Sequence, residues 1–185
     1  MNNNNLLNEG YQQKKVFFDR ANGSYIYHKK NKYLDLSCCA GTLLLGHNSK
    51  VFEESLDKIK KNQISNTASL NQQAVVFSKN LKKKIQNYSK FIMCNSGTEA
   101  VTKALRICRA VTKKKLIISV GGSWHGSVDE TLYEKKNKKN IPLSGGLNSS
   151  KKNIIFVPYN DIQQTKKILD KYKKRVMCIL IEPIQ

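Results

Sequence analysis

The stretch Phe91–Arg109, FIMCNSGTEAVTKALRICR, decides how the rest of the chain is read. It opens on the apolar run Phe91-Ile92-Met93-Cys94, long enough for one buried strand. Asn95-Ser96-Gly97-Thr98 then turns the chain with small polar residues, and Glu99 begins a helical pattern. Ala100, Val101, Ala104, Leu105, Ile107 and Cys108 recur at helical spacing and give that helix a buried stripe. A strand, a small polar turn and a helix aim free backbone N–H groups and the positive helix end at an anion. Ser96, Gly97 and Thr98 supply amides, two hydroxyls and a close backbone approach, a set suited to a phosphate. The same residues also spell Ser96-x-x-Glu99, a capping box that needs no ligand. Taken alone the turn favours the cap, since most Ser-x-x-Glu matches are only helix starts.

A second turn shifts the balance. Ser123-Trp124-His125-Gly126 follows the apolar strand Leu116-Ile117-Ile118-Ser119-Val120 and the pair Gly121-Gly122. In an open parallel sheet ligands sit beyond the carboxyl ends of the strands, where both turns fall. One offers a phosphate cradle, the other an aromatic face beside a titratable His. A flat, phosphorylated aromatic cofactor would use both. Trp124 also fits as a core or rim aromatic, although glycine on both sides points to a close approach to the backbone.

The repeat of strand 91–94, helix 97–111 and strand 116–120 predicts an α/β fold with a mainly parallel sheet and helices on its faces. Ile154-Ile155-Phe156-Val157 reads as a further strand, and Asp161 or Asn160 caps a helix from about Ile162 to Lys173. Val176–Ile181 is continuously apolar and suits a central strand buried on both faces. A buried strand closing the sequence with no helix over it argues that more chain follows. Residues 134–153 are polar and charged and read as a surface excursion.

Before the sheet, residues 1–10 are Asn-rich, of low complexity, and read as an unstructured tail. Val16-Phe17-Phe18 leads through Asn22-Gly23, a hairpin signal, into Ser24-Tyr25-Ile26-Tyr27. A turn around Lys29–Lys32 then leads to Tyr33-Leu34-Asp35-Leu36, completing a meander in a small amino-terminal lobe. Gly41 and Gly46 mark bends in the loop from Cys38 to His47, where His47 reads as a packing residue. Val51–Lys61 forms an amphipathic helix with Phe52, Leu56 and Ile59 on one face. Asn71–Ile85 forms another, with Val75, Val76, Leu81 and Ile85 inward, and Ile64–Thr67 is loop between them. The domain plan is a tail at 1–10, a small-lobe segment at 11–62, and the first part of a large domain at 63–185.

The 185 residues suit one domain or a little more, and a 39% apolar content can form a core. No apolar run nears the roughly 18 residues of a membrane helix, and the amino terminus lacks the pattern of a secretory signal. Five cysteines without Cys-x-x-Cys spacing point to neither a disulfide framework nor a metal site. Buried, reduced thiols in a cytoplasmic protein are the economical account. A net charge of +20 raises nucleic-acid binding, but only four of 33 basic residues are arginine, the type preferred for base and bidentate phosphate contacts. The lysines are scattered over turns and helix faces, which reads as solvated surface rather than a nucleic-acid stripe.

Six stretches, taken in order, resemble the class III aminotransferases, which use pyridoxal phosphate and have fold type I. They are Gly23–Tyr27 with Tyr33-Leu34-Asp35; Gly41 with Gly46-His47; Asn95–Ala100; Trp124-His125-Gly126; Val157–Asp161; and Ile181–Gln185. The resemblance spans nearly the whole chain. It implies that Ser96, Gly97 and Thr98 hold the cofactor phosphate, that Trp124 stacks on the pyridine ring, and that His125 lies beside it in a structural or proton-transfer role. It also implies that Gly41 and Glu182 line the substrate pocket. Departures at His28, Asn31 and Asn48-Ser49 lie in the hairpin and loop, so they bear on substrate fit rather than on the cofactor.

In that family the Schiff-base lysine and the acid facing the pyridine nitrogen follow the Glu-Pro strand. The resemblance therefore puts both beyond Gln185 and no catalytic residue in this chain, which alone is expected to be inactive. The longer protein is expected to be a homodimer, without a metal, moving an amino group between a small-molecule amino donor and a carbonyl acceptor. A glutamate-1-semialdehyde aminomutase branch, which moves the group within one molecule, fits as well. Rivals are a basic anion- or RNA-binding α/β module and a non-catalytic relative that keeps only the phosphate turn.

Overall fold

The computed structural model describes residues 18–62, 71–137, 139–143 and 148–184. The expected tail at 1–10, Val16-Phe17 and the loop Ile64–Thr67 lie outside the described residues. The chain divides into two compact units, Met1–Val75 and Val76–Gln185.

In the first unit, strands β1 (Arg20–Asn22), β2 (Tyr25–His28) and β3 (Asn31–Leu34) form an antiparallel meander in the order β1-β2-β3. Asn22 pairs with Tyr25, which leaves Gly23-Ser24 as a two-residue turn with Gly23 at φ +54°. His28 pairs with Asn31, so the second turn is Lys29-Lys30, tighter than expected, with Lys29 at φ +53°. Beyond β3, Asp35 ties down a short turn, α1 (Cys38–Gly41), in which Cys38, Cys39 and Ala40 all have positive φ. The Asp35 carboxylate accepts from the Ser37 N–H at 2.9 Å, the Ser37 hydroxyl at 2.7 Å and the Cys38 N–H at 3.2 Å, and meets His47 Nε2 at 3.0 Å. Gly23 and His47 exchange two backbone hydrogen bonds that close the loop onto the meander. His47 is thus held on its side chain by Asp35 and on its backbone by Gly23. Helix α2 (Lys50–Asn62) follows, with Phe52, Leu56 and Ile59 exposed.

Helix α3 (Gln72–Lys84) straddles the boundary between the units, and none of its residues is buried. Val76 and Ile85 are exposed, contrary to the inward face expected of this stretch. Apolar periodicity marks the side a helix can bury, not whether a neighbour covers it.

The second unit holds every fully buried hydrophobic side chain among the described residues. It comprises α4 (Gly97–Thr112), β4 (Leu116–Val120), β5 (Tyr133–Lys136), β6 (Lys139–Pro142), a 3-10 turn (Asn148–Asn153), β7 (Ile154–Val157), α5 (Ile162–Tyr172) and β8 (Val176–Leu180). Three strands make a parallel sheet in the order β7-β4-β8, with α4 packed on β8 and α5 on β7. Asp161 caps α5 by accepting from the Gln164 N–H at 2.8 Å. Leu105 of α4 meets Ile117, Ile154, Phe156 and Met177 from the strands in one core. Fully burying each such side chain is worth about 1.5–3 kcal/mol.

Four expectations are corrected here. Among the described residues Phe91–Cys94 carries no ladder and is not a strand, and Ile92 and Met93 are exposed. A strand needs a paired neighbour, which composition cannot supply. The central strand of the described sheet is β4; β8 pairs with β4 alone among the described strands, and its Ile179 is 48% exposed. The surface excursion contains the β5–β6 hairpin, in which Lys136 pairs with Lys139 and Asn137 has φ +48°, a conformation Asn tolerates. Lastly, the five cysteines are free but none is fully buried. Burial still pushes the Cys178 thiol up to about 11, with Cys108 beside it, so it stays protonated at neutral pH.

Candidate functional site

The amino terminus of α4 lies where the sequence places the phosphate turn. Ser96 is extended (φ −149°, ψ 161°), and its Oγ accepts from the Glu99 N–H at 3.1 Å. The Glu99 carboxylate reaches back to accept from the Asn95 N–H at 2.9 Å and pairs with Lys103 at 2.5 Å. The capping box is therefore closed. Lys103, foremost by its hydrogen bond, holds the Glu99 carboxyl below its ordinary pKa, and Glu99 raises Lys103 in return.

Closure does not use up the turn. The first amides of a helix have no intrahelical acceptor, which leaves those of Gly97 and Thr98 for another partner. The Ser96 hydroxyl still has its proton to donate. A β-carbon built on Gly97 meets no heavy atom within 4 Å, so the approach is open. Because Lys103 balances Glu99, an anion arriving here meets the helix end rather than an unpaired carboxylate. The closed cap leaves these donors available to a ligand.

The loop after β4 reaches the same place from the sheet side. Gly121 N–H donates to the Val157 carbonyl at 2.9 Å, holding the start of the loop to the end of β7. At its far end the Ser127 N–H donates to Thr98 Oγ1 at 3.1 Å, tying the loop to the first turn of α4. Gly126, at φ +76°, lies so close to Thr98 that an added β-carbon would come within 2.9 Å of Thr98 Cα and overlap its hydroxyl oxygen. The close approach expected at this glycine is thus made by Thr98. Between these ties Trp124 stands 60% exposed.

Two side chains hold the middle of the loop. The Trp124 N–H donates to Glu182 Oε2 at 3.0 Å, which links the loop to the segment after β8. His125 Nε2 lies 3.0 Å from Ser119 Oγ, and Ser119 is wholly buried in β4. Burial pushes the His125 pKa below its ordinary value, while the Glu182 charge pulls it up more weakly. Burial thus favours the neutral ring.

The second unit thus brings together Ser96, Gly97, Thr98, Trp124, His125 and Glu182. Gly41, the other expected pocket residue, belongs to the first unit, where it ends α1 at φ +81°. Sequence reading missed Ser119 and Ser127. Ser119 was legible as the one polar residue in LIISV, but a lone serine in an apolar strand does not say which group it faces.

Comparison with known proteins decides the family. The profile of aminotransferase class-III matches residues 6–185. The chain belongs to the class-III aminotransferase family. Curated relatives in it include the glutamate-1-semialdehyde 2,1-aminomutases of Wigglesworthia glossinidia brevipalpis and Methanosphaera stadtmanae. The first is 32% identical over 91% of this chain and 40% of the relative, and the second 32% identical over 94% and 42%. This class-III chain therefore spans about 40% of the length of the curated relatives it matches. Among solved structures, an omega-transaminase from Sphaerobacter thermophilus superposes with a TM-score of 0.79 at 21% identity, covering 90% of this chain and 40% of that one. A glutamate-1-semialdehyde aminomutase from Pseudomonas aeruginosa gives 0.77 at 19%, covering 91% and 37%. At those identities the likeness shows the fold, which is the expected fold type I.

Proposed function

We propose that this chain is the amino-terminal part of a pyridoxal phosphate-dependent amino-transferring enzyme and carries the phosphate and ring contacts of its cofactor site. The observation that carries the reading is the junction of the α4 turn with the Trp124 loop, tied through Thr98 to Ser127. The donor set fits the group: open amides at Gly97 and Thr98 and the Ser96 hydroxyl suit a phosphate dianion. Trp124 offers a face to an aromatic ring, a stack worth about 1 kcal/mol beyond area burial. Pyridoxal phosphate, when bound, supplies an electron sink at the carbon losing its proton.

The chain's own residues bind and orient. Ser96, Gly97 and Thr98 hold the phosphate, Trp124 covers one ring face, and neutral His125 shapes the wall beside it. Glu182 holds the Trp124 backbone in place and borders the substrate space. Residues 11–62 read as a small-lobe segment and 63–185 as the start of the large domain. The enzyme acts as a homodimer on a small-molecule amino donor and carbonyl acceptor in the cytoplasm. The curated relatives' names favour one branch, intramolecular transfer as in glutamate-1-semialdehyde aminomutase, over transfer between two substrates.

Protein purified from its source tests this. Its intact mass is expected to exceed 21.1 kDa well, and it should move an amino group within glutamate 1-semialdehyde or from a donor to a separate acceptor. The 185-residue chain alone should do neither. Transamination by that chain, or a native mass equal to it, overturns the reading.

A further inference from the structure

The loop 121–127 is held by side chains at three points, and residues already placed in the proposed site account for two of them, Thr98 and Glu182. The third is Ser119. Its hydroxyl sits inside the sheet, 0% exposed, on the strand between β7 and β8. A buried hydroxyl left without a partner is costly, and here the partner is His125 Nε2 at 3.0 Å. The contact spans six residues, across the Gly121-Gly122 exit from β4, and so pins the loop to the strand it has just left. One loop residue before His125 is Trp124, whose N–H is fixed to Glu182 and whose ring stands exposed.

We propose that Ser119 is a positioning residue: by holding His125 Nε2 it fixes the tautomer and plane of the imidazole and, through the backbone, the pose of Trp124. The proposal rests on the reading of Trp124 as the ring-stacking side of the cofactor site. Two features of the surroundings support it. Burial keeps His125 neutral, and a neutral imidazole has distinct donor and acceptor nitrogens whose assignment is set by the group each one meets. Glu182 is the charged group acting on the ring, and it favours the protonated form. A hydroxyl can donate or accept, but a buried hydroxyl proton needs an acceptor, and Nε2 is the one it reaches among the described residues; Ser119 therefore donates to Nε2, and the neutral ring carries its own proton on Nδ1. Ser119 does not touch substrate or cofactor; it acts through His125.

The test uses the 185-residue chain without added cofactor, then with pyridoxal phosphate. The chain has three histidines, so each ring is assigned by nitrogen NMR through loss of its signals in H28Q, H47Q and H125Q. The wild type should show one dominant neutral tautomer for His125. Ser119→Ala and Ser119→Val should give mixed tautomers, while Ser119→Thr, the same shape as Val but with the hydroxyl, should restore the wild-type pattern. Quenching of Trp124, the single tryptophan, then reads pyridoxal phosphate binding. Its Kd should rise roughly fivefold in the Ala and Val variants, the weight of one hydrogen bond, and stay within about twofold in the Thr variant. Unchanged His125 signals in Ser119→Ala, or equal behaviour of Val and Thr, overturn the proposal. Altered ring signals with an unaltered Kd overturn it too. A wild type that shows no saturable quenching removes the cofactor reading and the positioning role with it, while the ring signals still separately decide whether Ser119 holds His125.

Discussion

A β-carbon on Gly126 would press into Thr98, a backbone-bearing neighbour that cannot swing aside, and φ at Gly126 is already +76°. Gly126→Ala should therefore destabilise the second unit by about 3 kcal/mol, read as a lower denaturant midpoint at constant slope. A change under about 0.5 kcal/mol would mean that the Thr98 junction yields easily. His125 makes a different prediction. Its pKa is lower folded than unfolded, so the unfolded chain binds the extra proton first as pH falls. Stability should then decline below about pH 6.5 and level off once the folded pKa is passed. Because Glu182 pulls His125 upward, Glu182→Gln should lower the His125 pKa further in an NMR titration while keeping an acceptor for the Trp124 N–H. A rise would contradict the assigned geometry.

At the scale of elements, the two capped helices and the Asp35 loop carry the testable content. Ser96 and Asp161 each accept from a backbone amide three residues on, and replacing either with Ala should cost about 1 kcal/mol. The Asp35 carboxyl is held at about 2, chiefly by the Ser37 hydroxyl and then by His47, against an ordinary 3.8. Its contribution is present above pH 3.8 and is lost as pH falls toward 2. Asp35→Ala should speed amide hydrogen exchange across residues 36–47, because three successive positive-φ residues there lose the anchor that holds them. Unaltered exchange would mean that the Gly23–His47 bridge holds the loop by itself.

The parts legible in the sequence were those set by neighbours a few residues apart. Leu116–Val120, Ile154–Val157 and the span of α4 stand within a residue or so of their apolar patterns, and Asp161 caps the helix it precedes. Phe91–Cys94 failed because pairing is a property of two strands, and the β5–β6 hairpin was hidden because Glu134, Lys135 and Lys136 are all exposed, without the alternation that marks a half-buried strand. Within the site, Ser96, Gly97, Thr98, Trp124, His125 and Glu182 came from ordered motifs. Ser119 did not, because its meaning lies in a contact across a loop.

For the molecule as a whole, the turn that opens α4 and the loop that leaves β4 are proposed to form one site for a phosphorylated aromatic cofactor. Trp124 makes this directly measurable, being both the expected stacking face and the only tryptophan in the chain. The decisive measurement is a titration of the chain with pyridoxal phosphate, followed by Trp124 fluorescence, beside the same titration with inorganic phosphate as competitor. Saturable quenching is expected, displaced by phosphate and weakened by roughly tenfold in Ser96→Ala combined with Thr98→Ala, where two hydroxyl contacts are gone. Quenching that does not saturate, or that neither phosphate nor the double substitution affects, would contradict it.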